Sequence, residues 1–188
     1  MFFSIVAVDL GALTYYIDTA HGTHDNFKSE AGSASSMGHG IFCSMSISQK
    51  LIANSSTETK LVGVANYLSN ALHAKRFLQA QGVVVRNFIL QDNQDATLME
   101  MNGTKSSSKQ SREPHVRCFY ITNAIKRQEV EFSYCLAKVM LAYLFTNPPQ
   151  GTLFLKCRAI LFDHVPIDIL CDINYEAPNP SCARLHPR

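Results

Sequence analysis

The chain lacks any Cys-x-x-Cys pair among its six cysteines, which removes the most specific signature of a zinc module. Four cysteines sit in apolar runs, where a thiol packs as a small hydrophobe. Reduced cysteines and an intracellular setting, cytoplasm or nucleus, are therefore expected. No apolar run is long enough to span a membrane. The opening Met1 to Val8 is apolar but short, has no basic start and meets Asp9 at once, which argues against a signal peptide. His24, His39 and His115 are scattered. No Ser/His/Asp or Cys/His arrangement emerges, and nucleophilic catalysis has no support. There is no internal repeat. The net charge of +2 implies no partner by itself.

Charge distribution says more than net charge. Thr104 to Gln128 holds Lys105, Lys109, Arg112, Arg117, Lys126 and Arg127 against Glu113, six positive charges against one negative. Met1 to Ala53 holds Lys28 and Lys50 against Asp9, Asp18, Asp25 and Glu30, two against four.

The stretch Asn54 to Gly82 dominates the pattern. Leu61, Ala65, Leu68 and Leu72 recur at helical spacing. Ser55 followed three residues later by Glu58 forms a capping box, and Gln81-Gly82 supplies the stop. A helix of about 25 residues is longer than the mean and calls for a sheet to lie across. Strands are expected at Leu13 to Asp18, Gly38 to Ser44, Ser48 to Ala53, Val83 to Asp92 and Val130 to Cys135, with His21 to Ala34 as a connection. Asn93 caps a short helix through Ala96, Leu98 and Met99, stopping near Asn102-Gly103. Thr104 to Glu113 reads as a basic, serine-rich loop, and Pro114 opens a helix at its first turn. Lys138 to Phe145 and Gly151 to Leu161 read as two final helices. The resulting organisation is an N-terminal extension over 1–12, a domain over 13–166 and a loose, proline-containing tail over 167–188.

Two strands end on carboxylates, Asp18 and Asp92. Where neighbouring strand ends converge, paired carboxylates are costly unless a cation lies between them. That layout points to a magnesium site, although an aspartate at a strand end is also an ordinary turn residue.

Several motifs in order then resemble one family. Tyr16-Ile17-Asp18-Thr19-Ala20-His21-Gly22-Thr23-His24, Lys28-Ser29-Glu30-Ala31-Gly32, Ser48-Gln49-Lys50-Leu51, Ser55-Ser56-Thr57-Glu58, Phe77-Leu78-Gln79-Ala80-Gln81-Gly82, Gln91-Asp92-Asn93, Ser106-Ser107-Ser108-Lys109, Met140-Leu141-Ala142 and Phe145-Thr146-Asn147-Pro148 are similar to the ribonuclease H domain that closes the Pol polyprotein of copia-type LTR retrotransposons, within its reverse transcriptase polyprotein. The resemblance spans roughly Tyr15 to Pro166. It implies an α/β, ribonuclease H-like mixed five-stranded sheet: three antiparallel strands, then strands alternating with helices. It also implies hydrolysis of the RNA strand of an RNA–DNA hybrid by two magnesium ions held on clustered carboxylates.

Carried onto this chain, the resemblance puts catalytic and metal-binding aspartates at Asp18 and Asp92. The helix glutamate, second in the family's Ser-Ser-Thr-Glu-Ala-Glu, falls on Lys60. The late aspartate falls on Tyr143. Glu58 lies about 200° round the helix from Lys60 and does not substitute for it. An ammonium about 5 Å from a divalent ion repels it by roughly 7 kcal/mol at an effective dielectric of 20, and a neutral phenol is a poor ligand. Magnesium would be held weakly or lost, and the activity impaired. Lys60 is read as a salt-bridge partner of Asp18 or Asp92, and Tyr143 as a ring filling the former pocket. Lys105, Lys109, Arg112 and Arg117 are candidate phosphate contacts, with a solvated basic loop as the alternative. An RNA–DNA hybrid or another nucleic acid is the partner implied. A non-catalytic nucleic-acid-binding module, and a transposable-element remnant without selected function, stand beside the impaired nuclease.

Overall fold

The structure, a computed structural model, describes residues 11–38, 40–93, 96, 112–147 and 149–165, with backbone alone at 112–115. Five strands form one sheet: β1 Ala12–Ala20, β2 Glu30–Ser36, β3 Cys43–Ser48, β4 Arg86–Gln91 and β5 Glu131–Tyr134. The strand order is β3-β2-β1-β4-β5. The first three strands form an antiparallel meander, whereas β4 lies parallel to β1 and β5 parallel to β4. The helices are α1 Ser56–Ala80, α2 Arg112–Lys126, α3 Tyr143–Thr146 and α4 Gly151–Leu161, with a 3-10 turn at Ala137–Val139. This mixed five-stranded α/β sheet has the expected fold class. No described helix is long and apolar enough to cross a membrane.

The long helix forms where its local chemistry dictates. Ser55 Oγ accepts from the Glu58 amide at 3.2 Å, and the Glu58 carboxylate turns back to the Asn54 amide at 2.8 Å. At the other end Gly82 takes a left-handed φ of +81°, which a residue without Cβ adopts at no steric cost. Leu61, Ala65, Leu68 and Leu72 are buried against the sheet. Alternation along β1 sends Leu13, Tyr15 and Ile17 into the same core, together with Ile89 from β4 and Ile121 and Ala124 from α2. Tyr16, on the opposite face of β1, packs with Leu141, Phe145 and Ile160 in a second, smaller core. The sheet thus lies between α1 and α2 on one side and the segment 137–161 on the other.

Several boundaries differ from expectation. β1 runs on to Ala20, so Asp18 lies inside the strand. The second strand is Glu30–Ser36, not Gly38 to Ser44, and the third is Cys43–Ser48, not Ser48 to Ala53. β2 reads Glu-Ala-Gly-Ser-Ala-Ser-Ser, with neither β-branched nor aromatic residues, so propensity gives no strand signal. Its small side chains serve packing. A Cβ on Gly32 would lie 2.8 Å from Phe145 Cβ and 2.9 Å from the Ala142 carbonyl. The expected helix from Lys138 to Phe145 is two separate turns, because Met140 is extended with ψ at 94°. Arg112 lies on α2 rather than on the loop, in the same helix as Arg117. Asn93 Oδ1 accepts from the Ala96 amide at 2.9 Å, the expected cap. The remainder of that helix, residues 1–10, Lys105, Lys109 and the tail lie outside the described residues.

Burial also marks the core with a pH signature. It pushes the phenols of Tyr15, Tyr16 and Tyr67 up to about 12. Burial, reinforced by the Asp92 carboxylate, pushes the Cys135 thiol up to about 11. Unfolding returns these groups to ordinary values near 10.0 and 9.0. Above pH 9 the unfolded chain therefore binds fewer protons than the folded one, and stability falls as pH rises toward 12. Below pH 9 these groups add no slope. The melting temperature followed by circular dichroism should drop by roughly 10 °C or more between pH 8 and pH 11. A flat profile would contradict this reading of the core.

Candidate functional site

The site lies at the carboxyl ends of the parallel neighbours β1 and β4. Asp18 is in β1, and Asp92 directly follows β4. Between them stands Lys60, in the second turn of α1. Its Nζ is 3.2 Å from Asp18 Oδ1 and also donates to Asp92 Oδ1. The side chains of Lys60, Asp18 and Asp92 are 11%, 6% and 21% exposed, so water screens the cluster poorly. The remaining oxygen of Asp18 accepts from Thr146 Oγ1 at 2.5 Å. Thr146 Oγ1 in turn accepts from Asn147 Nδ2 at 3.1 Å. One ammonium and one hydroxyl thus satisfy a buried carboxylate, as burial of a charge requires.

Local structure fixes the lysine. Thr59 Oγ1 donates to the Ser55 carbonyl at 3.0 Å, and Gln49 Nε2 donates to the Thr59 carbonyl at 3.0 Å. His21 Nδ1 lies 2.7 Å from Thr59 Oγ1. Three segments therefore hold the first turn of α1. The helix also approaches β1 closely, since a Cβ on Gly63 would lie 2.4 Å from Thr19 Cγ2. Thr146 is delivered from the other side of the sheet. Gly32 pairs with Asp18 across the β1–β2 register, and its bare Cα lets α3 settle against the strand.

The four carried-over positions thus have different fates. Asp18, Lys60 and Asp92 meet. Tyr143 opens α3 with its side chain 44% exposed, so its ring does not fill a closed pocket as expected. The physical reason is that Phe145 and Thr146 take the sheet-facing side of the same turn, over Gly32, and Tyr143 is left at the surface. Arg117 is half-buried, and its Nη1 donates to Asn66 Oδ1 at 3.3 Å. Lys105 and Lys109 are not among the described residues. Thr146 was not singled out for a role beforehand. Its only sequence signal was its place in Phe145-Thr146-Asn147-Pro148.

These residues do not fit a divalent cation. The ammonium stands where a cation bridging the two carboxylates would stand. Glu58 is turned away to cap the helix. Among the described residues no group of three or more His, Cys, Asp or Glu side chains is placed to hold a metal ion. As folded, the cluster neutralises itself to one net negative charge and offers no open ligand set.

No family model matches the chain, and no curated protein matches it. Solved structures do. A ribonuclease H1 isolated from compost by a metagenomic approach superposes with a TM-score of 0.53 at 10% identity, over 73% of this chain and 94% of that one. The N-terminal ribonuclease H domain of a Mycobacterium tuberculosis protein, solved as a maltose-binding-protein fusion, gives a TM-score of 0.48 at 8% identity, over 79% and 96%. Ribonuclease H1 from Halobacterium salinarum gives 0.42 at 12% identity, over 70% and 91%. The first of these, with the strand order and the mixed pairing, defines the fold of this chain as ribonuclease H-like.

Proposed function

We propose that the chain is a ribonuclease H-like domain derived from a copia-type retrotransposon Pol polyprotein, extending over 13–166, whose ancestral hydrolysis of RNA in RNA–DNA hybrids is impaired. The ordered motifs support the origin, and the fold is compatible with it. The observation that carries the impairment is the Lys60 ammonium bridging Asp18 and Asp92. Magnesium, needed by the ancestral two-metal reaction, is held weakly or not at all beside that ammonium. Tyr143 marks a second lost carboxylate. This domain works, or lies dormant, inside the cell.

The test is cleavage of a labelled RNA–DNA hybrid with magnesium and, separately, manganese. The unaltered chain should cut no faster than background. A Lys60→Glu, Tyr143→Asp double substitution should restore cutting, and adding Asp18→Asn to it should abolish it. Cutting by the unaltered chain that is lost in Asp18→Asn would overturn the impaired reading. Hybrid binding without cleavage is the second reading, supported by the positive excess between Thr104 and Gln128. Gel shifts on the same proteins would register it as affinity that falls steeply with salt.

A further inference from the structure

The outer surface of α1 and α2 holds a second constellation, well away from the aspartate edge. Arg76 lies 16 residues beyond Lys60 on the same helix, about 24 Å along its axis. Here the two helices flank a groove of about 380 Å³, lined among others by His73, Arg76, Tyr120, Asn123 and Arg127. That volume falls at the small end of ordinary ligand sites.

The groove has an apolar floor and a basic rim. Leu72 and Ala124 are buried beneath it, whereas the Tyr120 ring is 39% exposed beside it. Ser69 Oγ and Tyr120 Oη meet at 3.4 Å across the two helices. Residues 73–76 and 126–129 contribute Lys75, Arg76, Lys126 and Arg127 against Glu129 alone, besides His73. The Arg127 side chain forms no ion pair among the described residues. Arg76 lies 3.5 Å from Glu129, 68% exposed, a separation that leaves most guanidinium donors available.

The rim is also held in place without a ligand. Lys75 Nζ donates to the carbonyls of Gln128 and Glu129 at 3.2 and 3.0 Å. Gln128 takes a left-handed φ of +56°, and the Glu129 amide bonds back to the Ala124 carbonyl at 3.0 Å. This turn fixes the backbone at Arg127 beside α1, so the ordering that opposes binding is confined to the side chains.

We infer that this groove binds a nucleoside carrying a phosphomonoester, with the phosphate on Arg76, Arg127 and His73 and the base against Tyr120. A phosphomonoester carries close to two negative charges and accepts from forked guanidinium donors. A planar base covers an exposed aromatic ring at little cost in specificity. The Asn123 amide is placed to donate to or accept from a base edge. The ligand is either a free mononucleotide or the 5′ end of a nucleic-acid strand, which share this chemistry. The site stands independently of the aspartate edge and of its ancestry.

The experiment titrates the full chain with adenosine 5′-monophosphate, adenosine and inorganic phosphate, read by calorimetry and saturation-transfer NMR. Adenosine 5′-monophosphate should bind saturably at millimolar concentration or below, and adenosine at least about tenfold more weakly, since the phosphate contacts are charge-assisted. Arg127→Glu should weaken the nucleotide about tenfold or more. Lys50→Glu, an equal charge change on an exposed bend, should not. Tyr120→Leu should erase the saturation-transfer signal of the base protons and retain phosphate binding. A 5′-phosphorylated oligothymidylate binding better than its 5′-hydroxyl form would identify a strand end. Binding confined to the mononucleotide would identify the free ligand. The proposal fails if adenosine binds as well as its monophosphate, if Arg127→Glu and Lys50→Glu act alike, or if no nucleotide binds. Because Arg127 is exposed, its replacement leaves the fold intact, and melting curves would verify that.

Discussion

Replacing Lys60 with methionine should destabilise the domain by about 3–5 kcal/mol, the usual result of removing one partner from a buried charged cluster. Methionine keeps the aliphatic stem and its packing, so the loss isolates the ammonium. Without it, Asp18 and Asp92 face one another across a poorly hydrated gap, and like charges so placed cannot both stay ionised cheaply. Two consequences separate this from a simple packing defect. Asp92→Asn in the Lys60→Met background should recover part of the loss, because the two substitutions share one interaction. Manganese at millimolar concentration should raise the melting temperature of Lys60→Met while leaving the unaltered chain unmoved, since anything that binds only the folded state stabilises it. A loss below about 1 kcal/mol would place Lys60 among ordinary surface ion pairs. Manganese stabilisation of the unaltered chain would show that the ammonium does not exclude a cation.

The second large effect is expected from Gly32→Ala. The added methyl would sit 2.8 Å from Phe145 Cβ, 2.9 Å from the Ala142 carbonyl and 3.0 Å from Thr146 Cγ2. Two of these neighbours belong to a helix of one turn, and one is backbone, so α3 has to move as a unit. Overpacking of this kind costs about 1–3 kcal/mol. Displacement of Thr146 adds the loss of its bond to Asp18, worth about 1.5–3 kcal/mol where the acceptor is charged. Chemical denaturation should therefore show a loss near the upper end of the combined range. Thr146→Val in the same background should add little, because its hydroxyl has already been displaced. If Gly32→Ala and Thr146→Val instead destabilise additively, α3 does not carry the threonine to the carboxylate in the way described.

What was legible in the sequence divides along a physical line. α1, its Ser55 cap and its Gly82 stop were readable because capping, periodicity and left-handed glycine are decided within a few residues. Asp18 and Asp92 were readable as a pair because parallel neighbouring strands present their carboxyl ends together. β2 was not readable. Its Ala-Gly-Ser composition answers to a demand from Phe145 and Thr146, more than a hundred residues later, and no local rule carries that information. The break at Met140 and the exposure of Tyr143 have the same origin, since segment 137–147 is shaped by the sheet beneath it. Arg112 was assigned to a loop because its basic, serine-rich neighbourhood masked the start of α2, two residues before Pro114. The α1–α2 groove escaped because His73, Arg76 and Arg127 form no motif along the chain and meet only through helix packing.

The bond between Thr146 and Asp18 joins residues 128 positions apart. Closing a loop of that length forfeits chain entropy before any contact compensates, and topologies rich in such closures fold slowly. The β1–β3 meander needs only short connections, and α1 carries its own start and stop signals. On this account the early folding events are local and leave the aspartate edge open to solvent. The ammonium can reach its two carboxylates once β4 docks beside β1, and the threonine arrives from the far end of the chain. During synthesis, residues 1–92 leave the ribosome well before Thr146, so for that interval Asp18 has its lysine but not its threonine, and water takes the second oxygen. Any cation that reached the nascent edge would meet it then, before the mature packing closes around Lys60.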